Sequence, residues 1–145
     1  MNEAGLCTKI RADLLHVLPR AIVTKHHDLS TAGVPDISVN WRGQTLWIEV
    51  KLLEARETKR AFLKHFDHLQ LANCILLEKQ QSTVYFVAYP NCEELRSIVW
   101  LPSRLRAFLL QVGQGSSEPY RWENELHYGS YHQAIEFLGF QVGLK

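Results

Sequence analysis

Asp36, Glu49 and Lys51 carry side chains that could do chemistry, at a spacing that would bring them together. They lie in GVPDISVNWRGQTLWIEVK, residues 33–51, where two alternating runs flank Arg42-Gly43. Ile37, Val39 and Trp41 share one face of the first run, and Leu46, Ile48 and Val50 share one face of the second. Pairing Trp41 with Gln44 across the turn sets Asn40 beside Thr45, Ser38 beside Trp47 and Asp36 beside Glu49. The two carboxylates then face each other with Cβ atoms roughly 5 Å apart, an arrangement that destabilises a sheet unless something neutralises it. A divalent cation does so. Lys51 follows on the same face, roughly 7 Å along the strand from Glu49.

That combination suits hydrolysis of a phosphodiester, which needs a metal to offset charge on the phosphate and to acidify a bound water. Asp36 and Glu49 are the expected metal ligands, with the Val50 carbonyl between Glu49 and Lys51 as the third oxygen. Such hard oxygen donors favour Mg²⁺, with Mn²⁺ as the alternative. Lys51 would orient the attacking water or stabilise developing negative charge. The same three residues also suit a plain ion pair on a solvated sheet face, which would bind no metal.

Pro35-Asp36 followed by Glu49-Val50-Lys51 resembles the PD-(D/E)xK nuclease superfamily. Gly33-Val34-Pro35-Asp36 and Gln70 are most similar to its VRR-NUC and Holliday-junction-resolvase branch, with its phage endonucleases; the resemblance covers about residues 1–90. It implies a restriction-endonuclease-like α/β fold with an αβββαβ core, a mixed central sheet between helices. It implies a glutamine, here Gln70, pointing into the site from the helix after the hairpin, where its amide can donate to a phosphate or a metal-bound water. An exposed helical glutamine is the plainer alternative. The family also takes an acid from its first helix; Asp13 matches the resolvase spacing and Glu3 the acid type. A basic residue before the Gly-Val-Pro-Asp turn, here Lys25, would meet phosphate.

The resemblance implies a Mg²⁺-dependent endodeoxyribonuclease acting on structured or branched DNA in replication, repair or recombination. A nuclease fold that binds DNA without cutting is the alternative. Arg56, Lys59, Arg60 and Lys64 follow Lys51 closely enough to line a DNA groove, or form an ordinary basic helix face. Of the adjacent His26 and His27, at most one can point toward the site from an extended strand. His65 and His68, on either side of Asp67, read as surface.

The elements that must position these groups are legible from apolar spacing. Leu6, Ile10, Leu14, Val17 and Leu18 form a helical stripe ended by Pro19. Residues 21–25 are a short β-branched strand, and 26–32 a polar loop. Residues 54–66 are an amphipathic helix or a mobile basic segment. Residues 69–79 read as a helix with Leu69, Ala72, Ile75 and Leu76 inward. Residues 82–89 are apolar throughout, as a central strand covered on both faces is. Beyond Pro90 a short helix or strand at 93–100, a helix at 102–112 with Arg104 and Arg106 exposed, a loop at 113–117 and a last helix at 131–138 are expected. Residues 91–145 read as a cap or oligomer surface on the core at about 1–90, with Trp100, Tyr120, Trp122, Tyr128 and Tyr131 as candidates for burial and a homodimer as one outcome.

Composition sets outer limits. The 145 residues suffice for one nuclease domain with a sizeable core. A net charge of +1 gives no global basic field, so any contact with DNA must come from a local patch. Three cysteines with no CxxC spacing fit a reducing compartment better than a disulfide framework. There is no apolar run of membrane-spanning length and no signal-peptide pattern, so a cytoplasmic protein is expected, in the host cytoplasm if phage-encoded.

Overall fold

The computed structural model describes residues 2–26, 34–53, 63–80, 82–88, 96–113 and 126–143. Helix α1 (Glu3–Val17) begins where the Asn2 side chain accepts a 2.8 Å hydrogen bond from the Gly5 N–H, and it ends before Pro19. Its buried stripe is Leu6, Cys7, Ile10 and Leu14. Strands β1 (Ile22–Lys25), β2 (Ile37–Trp41) and β3 (Gln44–Leu52) follow as an antiparallel meander. Arg42 and Gly43 both take positive φ, 48° and 79°, as a tight hairpin turn whose twist matches its strands requires.

Helix α2 (His68–Gln80) then crosses over to β4 (Ser82–Ala88), which lies parallel to β3. Strand β5 (Ser97–Trp100), helix α3 (Pro102–Gly113), strand β6 (His127–Gly129) and helix α4 (Tyr131–Gly143) follow among the described residues. The six strands form one mixed sheet in chain order, β1-β2-β3-β4-β5-β6, in which only β3 and β4 run parallel. Among the described residues the first six elements follow the expected αβββαβ order.

The four described helices divide between the two faces. On one face α1 and α4 cover Ile37, Val39, Leu46, Ile48, Val50 and Phe86. On the other, α2 and α3 cover Tyr85, Val87, Ile98 and Trp100. Strand β4, paired on both edges and covered on both faces, is buried from Thr83 to Ala88, in keeping with its unbroken apolar sequence. Residues 97–143 extend the sheet and complete both cores: Trp100 and Leu138 are fully buried, and Tyr128 and Tyr131 half-buried. Tyr120 and Trp122 lie outside the described residues.

The inward face of α2 differs from the expected one. Leu71, Cys74 and Ile75 are buried, whereas Leu69, Ala72 and Leu76 are exposed. Leucine and other apolar residues occur all round this helix, so apolar spacing alone does not fix its rotation. Among the described residues no helix is long and apolar enough to cross a membrane.

Candidate metal centre

The hairpin pairs in the expected register, from Trp41 with Gln44 to Ser38 with Trp47 and Ile37 with Ile48. The ladder stops there, and Asp36 continues it by other bonds. Its carbonyl accepts from the His26 N–H at 2.8 Å, and its Oδ2 accepts from the Val50 N–H at 2.9 Å. The N–H and C=O of an extended residue leave the same edge of the strand, so the Val50 carbonyl also faces the Asp36 side.

Glu49 is 1% exposed. Its Oε1 accepts a 2.9 Å hydrogen bond from Gln70 Nε2 and lies 3.7 Å from Lys51 Nζ. Its Oε2 is buried with no hydrogen-bond partner. Burial first, and then the nearby Asp36 carboxylate, push the Glu49 carboxyl up to about 9 against the opposing pull of Lys51. The Asp36 and Glu49 carboxyl groups are close enough to share a proton, and Glu3 adds further negative charge. Two carboxylates that face each other in a dry site, one with an orphaned oxygen, fit a hard divalent cation. Among the described residues no third His, Cys, Asp or Glu converges on the same point.

Gln70 reaches Glu49 from the first turn of α2. Asp67 caps that turn, its Oδ1 accepting from the Leu69 N–H at 2.8 Å and the Gln70 N–H at 3.0 Å. Asp67, three residues before Gln70, fits the N-cap pattern that opens a helix, a signal in the sequence that apolar spacing does not use. The hydrogen bonds from the Gln70 and Leu69 N–H groups hold the Asp67 carboxyl below its ordinary range despite some desolvation.

The first-helix acids separate. Glu3 Oε2 accepts from the Leu52 N–H at 3.1 Å, which puts Glu3 at the end of β3 next to Lys51. Asp13 lies ten residues further along α1, about 15 Å by helical rise. Lys9 Nζ donates to it at 2.9 Å and the Tyr131 hydroxyl at 2.5 Å, so Asp13 ties α1 to α4 and is not brought to the carboxylate pair. Burial pushes the Asp13 carboxyl up, but those two hydrogen bonds outweigh it and leave it below the ordinary value.

The expected phosphate contacts fare differently. Lys25 stands opposite Ile37, whose side chain faces α1, and its Nζ donates to Thr8 Oγ1 of α1 at 2.7 Å. Lys64 is exposed. Arg56, Lys59, Arg60 and His27 lie outside the described residues.

Sequence reasoning missed one cluster on the carboxylate face. His26 Nε2 and Ser38 Oγ share a 2.7 Å hydrogen bond, and the imidazole lies against the Trp47 ring with centroids 5.1 Å apart. The alternation of the hairpin already placed Ser38 and Trp47 on the Asp36 face; what it lacked was the tie from His26 to the Asp36 carbonyl.

A cleft of about 430 Å³ opens at the other end of the sheet, lined by Gly43, Gln44, Thr45, Ser82 and Gln141 among others, with no ionisable side chain. A second, of about 420 Å³, adjoins it and includes Glu78 and Lys79 in its lining. No protein-family model and no curated protein matches the chain.

Proposed function

We propose that the protein is a metal-dependent endonuclease that hydrolyses DNA phosphodiester bonds at the Asp36–Glu49–Lys51 centre, on structured or branched DNA such as arises in replication, repair or recombination. The observation that carries this reading is the Asp36–Glu49 pair, two carboxyl groups close enough to share a proton, with Glu49 fully buried. A merely structural ion pair with Lys51 needs one carboxylate and not two.

Asp36, Glu49 and the Val50 carbonyl would hold the cation, Mg²⁺ or Mn²⁺. When bound, the metal supplies charge for the scissile phosphate and an acidified water. Gln70 fixes the Glu49 carboxylate through Oε1, which leaves Oε2 for the cation. Lys51, with only 11% of its side chain exposed, presents a desolvated ammonium where negative charge develops on the phosphate. Glu3, held at Leu52, borders the same end of the sheet.

The test is cleavage of labelled linear, single-stranded, flap and four-way-junction DNA with Mg²⁺ or Mn²⁺. Wild type should cut at least one of them, and Asp36→Ala and Lys51→Ala should not. Binding without cutting, unchanged by either substitution, would replace this reading with that of an inactive DNA-binding module.

A further inference from the structure

The outer edge of β1 carries two cations that no described carboxylate neutralises. Strand β1 ends the six-stranded order, so this edge has no partner strand among the described residues. The His26 N–H bonds to the Asp36 carbonyl on the β2 side, and alternation then turns the backbone groups of Val23 and Lys25 outward. Arg11 of α1 reaches over the edge, its Nε donating to the Val23 carbonyl at 2.9 Å. Lys25 stands two residues further along, and its Nζ donates to Thr8 Oγ1 of α1 at 2.7 Å. Thr8 and Arg11 are neighbours on one flank of that helix. The two charged groups are thus anchored at points roughly 7 Å apart along the strand.

What holds them distinguishes this pair. Both acceptors are neutral, one a backbone carbonyl and the other a hydroxyl. The ion pairs among the described residues are Lys9–Asp13 and Lys51–Glu49, and neither includes Arg11 or Lys25. Asp13, two residues beyond Arg11, is turned to Lys9 and Tyr131 on the α4 side. A guanidinium and an ammonium each have several N–H groups, so one bond fixes the cation and leaves other donors for a ligand. Like charges set side by side repel, and an anion that bridges them relieves the repulsion.

Their place links them to the metal centre. Lys25 directly precedes His26, whose N–H holds the Asp36 carbonyl. The buried Cys7 thiol feels Lys25 together with Asp36, Glu49 and Glu3, so the cation and the carboxylates share one electrostatic field. With a net charge of +1 the chain has no global field to attract a polyanion, and oriented local cations must do so. An anion that repeats along this edge and also reaches the carboxylate pair has the chemistry of a nucleic-acid backbone.

We propose that Arg11 and Lys25 clamp neighbouring phosphates of a nucleic-acid strand along the open edge of β1, beside the phosphate that is cut at the carboxylate centre. Such contacts fix position and register without reading sequence. The inference deepens the nuclease reading by naming where the backbone of its substrate is held, and it rests on that reading for the direction in which the strand leads.

The experiment measures binding of a fluorescein-labelled DNA duplex by anisotropy over a KCl series, with Ca²⁺ in place of Mg²⁺. Arg11→Gln and Lys25→Gln remove the charge and keep a hydrogen-bonding side chain. Each should weaken binding about three- to tenfold, and the double variant should lower the slope of log K against log salt by about two. Arg11→Lys and Lys25→Arg keep the charge and should keep most of the binding. Lys79→Gln, at the far end of the sheet, should leave the slope unchanged. An unchanged slope in the double variant would overturn the clamp, and Mg²⁺-dependent cutting by wild type would then leave the nuclease reading standing. Equal losses in the charge-keeping variants would overturn it by making both residues structural ties between α1 and β1. Inorganic pyrophosphate bound by wild type and lost in the double variant, with DNA binding unmoved, would overturn it by assigning the pair to a soluble diphosphate. A reduced slope in the variants of a protein that cuts nothing would uphold the clamp and remove the nuclease.

Discussion

Gln70 Nε2 donates to Glu49 Oε1 at 2.9 Å. Gln133 occupies the same third helical position in α4 but turns back to the start of its own helix. Its Oε1 accepts from the Ser130 N–H at 3.0 Å while Ser130 Oγ accepts from the Gln133 N–H at 3.2 Å, a closed capping box. In α2 the Asp67 carboxylate does the capping alone and Gln70 is released toward the site. Two identical residues in equivalent positions thus do different work, and the difference is which one has a buried carboxylate in front of it.

That contrast gives a paired test. Gln70→Ala should lower metal affinity or cleavage by about 10- to 100-fold with little loss of stability, because Asp67 still caps the helix. Gln133→Ala should do the reverse, with a loss of about 1 kcal/mol in stability and unchanged cleavage. Isothermal titration with Mn²⁺ and urea denaturation of both variants separate the two roles.

Glu49 makes stability depend on pH in a definite direction. Its carboxyl is raised to about 9 when folded, from an ordinary value of 4.5, so between these limits the folded state binds more protons than the unfolded one. The contribution is fully present below 4.5 and is lost as pH rises through about 9. Burial is the largest cause, and Asp36, Lys51 and Glu3, which face the same carboxyl, adjust the size of the effect. In metal-free buffer Tm should therefore fall from pH 6 to pH 9 more steeply for wild type than for Glu49→Gln. Mg²⁺ or Mn²⁺ should raise the wild-type Tm more at pH 8 than at pH 6, where a proton competes for the site, and should not move that of Glu49→Gln. Scanning fluorimetry across the two pH values, with and without metal, reads both effects.

The hairpin was legible because its two faces differ in kind: apolar residues fall on one and polar or charged residues on the other, so a single register satisfies both. The turn at Arg42-Gly43 then set the pairing that brings Asp36 toward Glu49. The rotation of α2 was not legible, since Leu69 and Leu76 are as apolar as Leu71 and Ile75, and only packing against β4 and α3 selects between them. Strand β6 was missed because three residues, His127–Gly129, carry too little pattern, and its existence depends on the free edge of β5. The His26–Trp47 contact joins residues from different strands, which no local spacing reports.

Cys7 and Cys74 should be chemically silent. Burial pushes the Cys7 thiol up to about 12 and the Cys74 thiol up to about 11, and the Asp36 and Glu49 charges add to the effect in both. Neither forms a thiolate at neutral pH, so neither serves as a nucleophile. Of the three thiols in the chain, no more than one should react with iodoacetamide at pH 8 in the native protein, and all three in guanidinium. Mass spectrometry counts the adducts, and metal-dependent cleavage should survive the native reaction.

The two first-helix acids make opposite demands on the same assay. Glu3 is held at the Leu52 N–H, within the charge field of Glu49, whereas Asp13 is bonded to Lys9 and Tyr131 on the α4 side. If Glu3 supports the metal centre, Glu3→Gln should lower cleavage by about tenfold, since it keeps the hydrogen bond to Leu52 and loses only the charge. Asp13→Asn should leave cleavage within about twofold, yet lower stability by about 1–3 kcal/mol by weakening a charged hydrogen bond to a partly buried hydroxyl. Tyr131→Phe should reproduce that stability loss, and the double variant should lose little more, because both substitutions remove one contact. Cleavage rates and urea midpoints for the four proteins decide it. A large activity loss in Asp13→Asn with none in Glu3→Gln would move the first-helix acid to Asp13 and require α1 to shift against the sheet.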